Sequence, residues 1–234
     1  MGKKYKRILL KLSGEALAGA NGQGLDDGVL SRLADVMERL VDAGKEIAIV
    51  VGGGNFWRGR MNAAMDRTTA DHMGMLATTI NALALSDSFE RRGLATRVMN
   101  AVNMSQICEP YIRKRAIRHL EKGRIIILAG GTGNPYFTTD SAAALRASEI
   151  DAEVIFKATM VDGVYNKDPK IHADAVRFNE VALHDVLNDR LGVMDSTAAA
   201  LCRDNKMPIV VFSVEDPMNI LRIAEGEGIG TLVY

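Results

Sequence analysis

Cysteine is scarce in this chain. Its 234 residues include two, Cys108 and Cys202, and these stand too far apart for a Cys-x-x-Cys pair. The sequence therefore carries neither a disulfide framework nor a cysteine-based zinc pattern, and a reducing, cytoplasmic setting is expected. His72 belongs to no His-Glu-x-x-His sequence, so we predict no metal held by the protein itself.

A net charge is also lacking. Lys plus Arg and Asp plus Glu both number 29, which removes any global electrostatic argument for a nucleic-acid or membrane partner. The apolar run after the basic N-terminal residues is interrupted by Lys11 and is too short for a signal peptide. No apolar run approaches the length of a transmembrane span. We therefore expect neither a membrane nor a nucleic acid among the partners.

Two widespread phosphate-binding motifs are missing as well. No segment matches Gly-x-x-x-x-Gly-Lys-[Ser/Thr], and no complete Gly-x-Gly-x-x-Gly is present. These absences argue against a P-loop NTPase and against a dinucleotide-binding dehydrogenase. A phosphate site in this chain must be built in another way.

The chain does contain an alternation of apolar strands and helices. Strands are predicted at 8–12, 47–51, 95–99, 124–128, 154–156, 209–212 and 231–233, and helices at 29–43, 71–92, 111–121, 141–149, 196–204 and 218–224. Strands that are apolar throughout and separated by helices indicate a mainly parallel sheet covered on both faces. We predict an α/β fold, a three-layer αβα sandwich, with residues 1–234 in one domain. The polar segment 161–179 is expected to be an irregular excursion or a short hairpin.

Glycine clusters follow three of the predicted strands. Gly14 follows the first strand, Gly52–Gly53–Gly54 the second, and residues 130–134 a later one. Ligands bind at the carboxyl ends of parallel strands, and glycine lets the backbone approach them closely. The last cluster also leads into a helix, whose N-terminus attracts anions. Together the clusters predict a crevice for a phosphate or a carboxylate, although each alone could be an ordinary turn.

Two lysines end apolar strands in the same way. Lys11 and Lys157 are costly to bury without a negative partner, which Asp140 could supply. A pair of cations suits a phosphoryl group in transfer. Arg58, after the triple glycine, could add guanidinium donors. The alternatives are lysines that extend to solvent at a sheet edge and a solvated loop arginine.

Other polar residues allow two interpretations each. Asp71 could bind a ligand or could cap the long predicted helix. Tyr165 could flank a base or a ribose and Asp168 could accept from ribose hydroxyls. Both could equally belong to a polar turn without a ligand.

These motifs together resemble the amino-acid-kinase family, and within it the bacterial uridylate branch. The wider family shares the glycine and lysine segments at 5–17, 52–59 and 157–159. The branch is matched by Asp-His-Met-Gly-Met-Leu-Ala at 71–77 and by Gly-Asn-Pro-aromatic-Phe-Thr-Thr-Asp at 133–140. The resemblance covers nearly the whole chain. One mild departure is Tyr136, where phenylalanine is more familiar.

The resemblance implies ATP-dependent phosphorylation of UMP to UDP by direct in-line transfer, in pyrimidine nucleotide biosynthesis, with Mg²⁺ arriving on ATP. Residues 1–150 would form the UMP-binding part and 151–234 the ATP-binding part. The catalytic residues would be Lys11, Lys157, Asp140 and Arg58. ATP would be bound by Lys11, Leu12, Ser13, Gly14, Gly54, Arg58, Thr159, Tyr165 and Asp168. UMP would be bound by Gly53, Asp71, Thr132, Gly133, Asn134, Pro135, Tyr136, Phe137, Thr138 and Thr139.

The resemblance also implies a homohexamer that GTP activates and UTP inhibits. The loop matching the segment linked to GTP activation consists of Gly19, Ala20, Asn21, Gly22, Gln23 and Gly24. Asp195 matches a family aspartate at the site, with no defined role.

Two other functions stay open. One is phosphorylation of a carboxylate such as acetylglutamate or glutamate, which would not need Asp71 or the Gly-Asn-Pro loop. The other is a non-catalytic nucleotide sensor, against which the retention of Lys11 and Lys157 argues.

Overall fold

The computed structural model describes residues 3–57, 65–169, 171–189 and 191–234. The strands are β1 (Arg7–Leu12), β2 (Glu46–Val51), β3 (Thr96–Asn100), β4 (Glu109–Pro110), β5 (Ile125–Ala129), β6 (Val154–Thr159), β7 (Glu180–Val181), β8 (Ile209–Ser213) and β9 (Thr231–Val233). The helices are α1 (Gly14–Leu17), α2 (Asp27–Asp42), α3 (Arg67–Glu90), α4 (Arg113–Glu121), α5 (Thr139–Glu149), α6 (Leu183–Asn188), α7 (Ser196–Asp204) and α8 (Asn219–Ala224), and a 3₁₀ turn spans Gly19–Asn21.

One nine-stranded sheet runs through the described residues in the order β4-β3-β5-β2-β1-β6-β8-β9-β7. Neighbouring strands are parallel except for β8 and β9, which pair antiparallel. Helices cover both faces. The predicted fold class, a mainly parallel sheet between two helical layers, is therefore confirmed.

The core is divided between the two faces of this sheet. Along β1, Ile8, Leu10 and Leu12 pack in the layer that contains α2 and α8, whereas Leu9 packs in the layer that contains α5 and α7. This alternation follows from the two-residue period of a strand. Lys11 therefore shares the face of Leu9, beneath α5.

Capping residues set where the helices begin. Asp26 accepts a hydrogen bond from the Val29 amide at 2.8 Å, so α2 starts two residues before the predicted position. Asp66 caps α3 in the same way through the Thr69 amide at 2.9 Å. The long helix consequently begins at Arg67, and the interpretation of Asp71 as its cap was wrong.

Strand β6 is longer than predicted. It continues through Lys157 to Thr159, whereas the sequence indicated an end at residue 156. A charged residue after an apolar run usually indicates the end of a buried strand. Here the Lys157 side chain is buried against the Asp140 carboxylate, so the strand continues. The short elements α1, β4, β7 and α6 were not predicted, since so few residues show no periodicity. The polar segment forms an antiparallel bridge between Tyr165 and Arg177, as a short hairpin would. Across the described ranges, no helix combines the length and the apolar character that crossing a bilayer requires.

Candidate active site

Two lysines face each other across neighbouring strands. The register of β1 and β6 places Lys11 directly opposite Lys157, and both side chains are nearly buried, with 13% and 11% exposed. Lys157 thus lies within its strand rather than at its end, which corrects the sequence-based placement. Two ammonium groups this close in a protein interior require a negative partner.

Asp140, in the first turn of α5, is that partner. Its Oδ1 lies 2.9 Å from the Lys11 ammonium and its Oδ2 lies 2.6 Å from the Lys157 ammonium. Burial by itself would raise the pKa of Asp140, but the two ammonium groups outweigh burial and lower this pKa. The predicted ion pairing is confirmed. We call Lys11, Asp140 and Lys157 the ion-pair centre. These three side chains together carry one positive charge, and the nearby Asp195 carboxylate also attracts Lys157.

The pKa of Lys157 is also lowered. Burial favours its neutral amine, and the attraction to Asp140 opposes this effect without cancelling it. The Lys157 ammonium therefore loses its proton at a lower pH than an ordinary lysine does.

Asp195 joins two helix N-termini next to this centre. It caps α7 by accepting from the Ala198 amide at 2.9 Å, and it accepts from the Ser141 hydroxyl at 3.0 Å. It also accepts from the hydroxyl of Thr138, which is the N-cap of α5. The role that the sequence left undefined is thus a link between α5 and α7. Ser141 was missed, since a serine inside a helix gives no signal of such a contact.

The first two glycine clusters lie against each other. A Cβ on Gly14 would stand 2.7 Å from the Gly54 nitrogen and 2.5 Å from Asn55 Oδ1, and a Cβ on Gly53 would stand 2.8 Å from the Ala77 Cβ. Glycine at 14 and 53 is therefore required by space. The predicted convergence of these clusters is confirmed.

The two residues that precede Gly14 have structural roles. Leu12 is fully buried in the core, so only its backbone can face a ligand. The Ser13 hydroxyl caps α1 by accepting from the Ala16 amide at 3.2 Å.

A cavity of about 440 Å³ opens beside Lys11 and Asp140. It joins the second glycine cluster to the third. Of the residues predicted to bind UMP, those lining it are Gly53, Asp71, Thr132, Asn134, Phe137, Thr138 and Thr139. Gly133, Pro135 and Tyr136 are not among its described lining residues. Trp57, Arg67 and Met75 also line it. Sequence reasoning assigned none of them to the site, although Met75 belongs to the segment 71–77.

Asp71 holds the loop that closes this cavity. Its Oδ2 accepts from the Tyr136 amide at 2.8 Å and from Arg67 Nε at 2.9 Å. Tyr136 has a φ of 71°, the left-handed region that favours glycine. Tyr136 is 67% exposed, and the centre of its ring lies 5.4 Å from the Arg67 guanidinium. Such strain at a ligand-facing loop is typical of a functional site.

A second cavity, of about 630 Å³, opens on the other side of the ion-pair centre. Lys157 lines it together with Thr159, Tyr165 and Asp168, the three residues predicted for the nucleoside of ATP. The Tyr165 hydroxyl donates to Asp162 Oδ1 at 2.8 Å, which raises the pKa of Tyr165. Lys11 lines one cavity and Lys157 the other, so the centre lies between two spaces that could hold two ligands.

The carboxylates of the centre do not fit a metal ion held by the protein. Both Asp140 oxygens lie against lysines, and Asp195 is engaged by two hydroxyls and an amide. Within the described residues, no three His, Cys, Asp or Glu side chains group as metal ligands would.

Two further sequence-based assignments concern loops. Arg58 lies outside the described residues. The loop 19–24 begins with the 3₁₀ turn, and Gly22 and Gly24 adopt left-handed φ values of 68° and 71°.

Comparison with known proteins gives a consistent result. Residues 6–213 match the model of the amino acid kinase family. A UMP kinase structure from Bacillus anthracis shares 39% identity over 99% of this chain and 96% of its own, with a TM-score of 0.96. A UMP kinase structure from Ureaplasma parvum shares 35% identity over 99% of both chains, with a TM-score of 0.91. A uridylate kinase structure from Archaeoglobus fulgidus shares 27% identity over 97% of this chain and 99% of its own, with a TM-score of 0.75.

Proposed function

The chain belongs to the amino acid kinase family, as its motifs predicted, and we propose that it is a nucleoside monophosphate kinase that transfers the γ-phosphoryl group of ATP to UMP. One observation carries the proposal: the Lys11–Asp140–Lys157 centre lies between two cavities. The product UDP would enter pyrimidine nucleotide biosynthesis.

The charge at the centre explains how transfer would proceed. The proposed transfer is direct and in-line: a UMP phosphate oxygen attacks the γ-phosphorus, and the bond between that phosphorus and the ADP oxygen breaks. The phosphate is already an anion, so a catalytic base is not needed. Lys11 and Lys157 stabilise the charge of the transferred group, and Asp140 fixes their positions. Arg58 is proposed to assist, on the strength of the sequence alone.

The two cavities would divide the nucleotides between them. The 440 Å³ cavity is proposed for UMP because the motifs specific to the uridylate branch, 71–77 and 133–140, line it or close it. The 630 Å³ cavity is proposed for the nucleoside of ATP. The phosphates of ATP would lie along Gly14 and Gly54. For the two nucleosides, this assignment corresponds to a UMP-binding part at 1–150 and an ATP-binding part at 151–234, while Gly14 and Gly54 of the first part would contact the phosphates of ATP.

Magnesium is proposed to arrive as part of the ATP substrate, bound through phosphate oxygens. Bound there, it would neutralise part of the phosphate charge. The carboxylates of this chain are committed to lysines, hydroxyls and amides, which supports that arrangement.

Self-association and regulation are proposed by family likeness. A homohexamer, activation by GTP through the loop 19–24 and inhibition by UTP form this part of the proposal. One observation supports association: Leu76, Ile80 and Leu83 lie on one side of α3 and are 51%, 47% and 37% exposed. Apolar side chains at this helical spacing are typical of a contact face.

The test is a coupled assay for ADP formation with MgATP and one acceptor at a time. The acceptors are UMP, CMP, dCMP, acetylglutamate and glutamate. Turnover with UMP alone supports the proposal. Turnover with an amino acid instead would keep the fold and replace the acceptor. If no acceptor gives ADP while ATP still binds, the protein is a nucleotide sensor and the proposal fails.

A further inference from the structure

Two asparagine side chains form a reciprocal pair beneath the second glycine cluster. The Asn55 amide donates to Asn81 Oδ1 at 2.9 Å, and the Asn81 amide donates to Asn55 Oδ1 at 2.7 Å. The second hydrogen of each amide goes to a backbone carbonyl: Asn55 donates to Gly24 at 2.6 Å, and Asn81 donates to Gly52 at 2.7 Å. Every amide hydrogen of the pair is thereby used.

The pair connects segments that are distant in sequence. Asn81 belongs to the middle of α3, and Asn55 ends the turn 52–55 that follows β2. Gly24 ends the loop 19–24, and its amide donates to the Asn55 carbonyl at 3.1 Å. Both backbone polar groups of Gly24 are therefore bonded to Asn55. We name this double contact, together with the Asn55–Asn81 pair, the loop clasp.

The loop clasp also packs against the backbone around the proposed phosphate-binding turn. A Cβ on Gly14 would approach Asn55 Oδ1 to 2.5 Å, so the Asn55 amide lies against the backbone of the turn that follows β1. The two side chains are 3% and 0% exposed. A fully bonded polar pair at such burial specifies one arrangement, because any displacement leaves buried groups without a partner.

From this geometry we infer that Asn55 and Asn81 are positioning residues that transmit the conformation of the loop 19–24 to the turn 52–54. A change in the loop would then alter the binding of ATP without touching the ion-pair centre. The inference rests on the proposed function in one respect, namely that this turn holds nucleotide phosphates. If the loop clasp were structural only, a loop change would lower stability and leave ATP binding unaltered.

A matched pair of glycine substitutions separates these two roles. Gly24 and Gly44 have left-handed φ values of 71° and 70°, and a Cβ on either would meet nothing within 4 Å. Gly24→Ala and Gly44→Ala therefore introduce the same backbone strain, one at the loop clasp and one after α2. We expect similar losses in Tm. Only Gly24→Ala should raise the KM for ATP, by about fivefold with little change in kcat.

A double variant tests whether the effect passes through Asn55. Asn55→Asp keeps an acceptor for the Asn81 amide but can donate neither to the Gly24 carbonyl nor to Asn81 Oδ1. In that background, we expect Gly24→Ala to change the KM for ATP by less than about twofold. If the two substitutions instead raise KM independently, the inference is overturned. Should Asn55→Asp fail to fold, the comparison of Gly24→Ala with Gly44→Ala decides.

The tryptophan emission provides a readout that does not need catalysis. Trp57 is the only tryptophan in the chain, and its backbone amide donates to the Gly53 carbonyl at 2.9 Å. Gly24→Ala should shift the Trp57 emission, whereas the emission spectrum of Gly44→Ala should be the same as that of the wild-type protein. Identical spectra and identical KM values in the two variants would refute the inference. If the wild-type protein does not phosphorylate UMP, the proposed function fails, and the emission comparison still tests the coupling.

Discussion

The ion-pair centre and the loop 131–137 lie side by side but are built in opposite ways. Lys11, Lys157 and Asp140 are almost buried, and the two lysines are fixed by strand register. The loop exposes Tyr136 by 67% and Phe137 by 50%, and it holds a strained backbone through Asp71. The centre is therefore preorganised for charge, whereas the loop presents surface that a ligand can cover.

This contrast assigns different kinetic roles to the two regions. A change in the centre should act on the transition state and lower kcat. A change in the loop should act on acceptor binding and raise the KM for UMP. Three tests address this division and a fourth addresses the backbone strain of the loop, starting with the largest expected effect.

Removing one cation of the centre should have the largest effect. Lys157→Met or Lys11→Met keeps a long unbranched side chain and deletes its charge, so we expect kcat to fall by about 10³-fold. The matched control is Lys45→Met, because Lys45 is also nearly buried and pairs with Glu225 at 2.7 Å far from the site. This control should lower Tm and keep kcat. A small loss of kcat in both centre variants would mean that the centre is structural.

Alkaline pH should also lower kcat, because it removes a positive charge from the ion-pair centre. Burial lowers the pKa of Lys157 below 10.5, and the charged form is the active one, so kcat falls as pH rises through that lowered value. Above it we expect a loss of about tenfold per pH unit. Lys157→Arg stays charged, so its residual activity should lack this alkaline decline. An unchanged decline in this variant would assign the titration to another group.

Asp71→Asn should affect the loop rather than the centre. An asparagine has no negative charge to pair with Arg67. Its side-chain NH₂ group can also face the Tyr136 N–H, and two donors cannot form a hydrogen bond with each other. We expect the KM for UMP to rise about tenfold while kcat changes less than about threefold. Asp66→Asn, on the same helix, should leave both values in place, because asparagine also caps helices. A selective fall in kcat would contradict the division.

The smallest effect is expected from Tyr136→Gly. Glycine relieves the left-handed strain but gains freedom in the unfolded chain, so the free energy of unfolding should change by less than ~1 kcal/mol. Asp151→Gly is the matched control, since Asp151 has a φ of 55° away from the site. Urea titrations measure both variants. A large loss of stability in Tyr136→Gly alone would mean that its ring on Arg67 stabilises the loop.

Much of this architecture could be predicted from the sequence, and the failures have physical causes. Apolar alternation and glycine clusters located the sheet and its carboxyl edge. Sequence reasoning ended β6 too early because the sequence does not reveal that Lys157 is buried, which is possible only through its ion pair with Asp140. It began α3 too late because the cap Asp66 precedes the helix without an apolar pattern. Asn81 gave no signal, since an amide in a helix reveals its partner only in three dimensions.

The register of β1 and β6 has a consequence for how the chain can change length. Lys11 and Lys157 belong to distant parts of the sequence, yet the backbone ladder fixes the distance between their Cα atoms. Extra residues in surface connections leave that distance alone. One residue inserted within either strand would turn one lysine to the opposite face of the sheet. Insertions and deletions in related sequences should therefore accumulate in the connections, while the spacing inside these two strands stays constant.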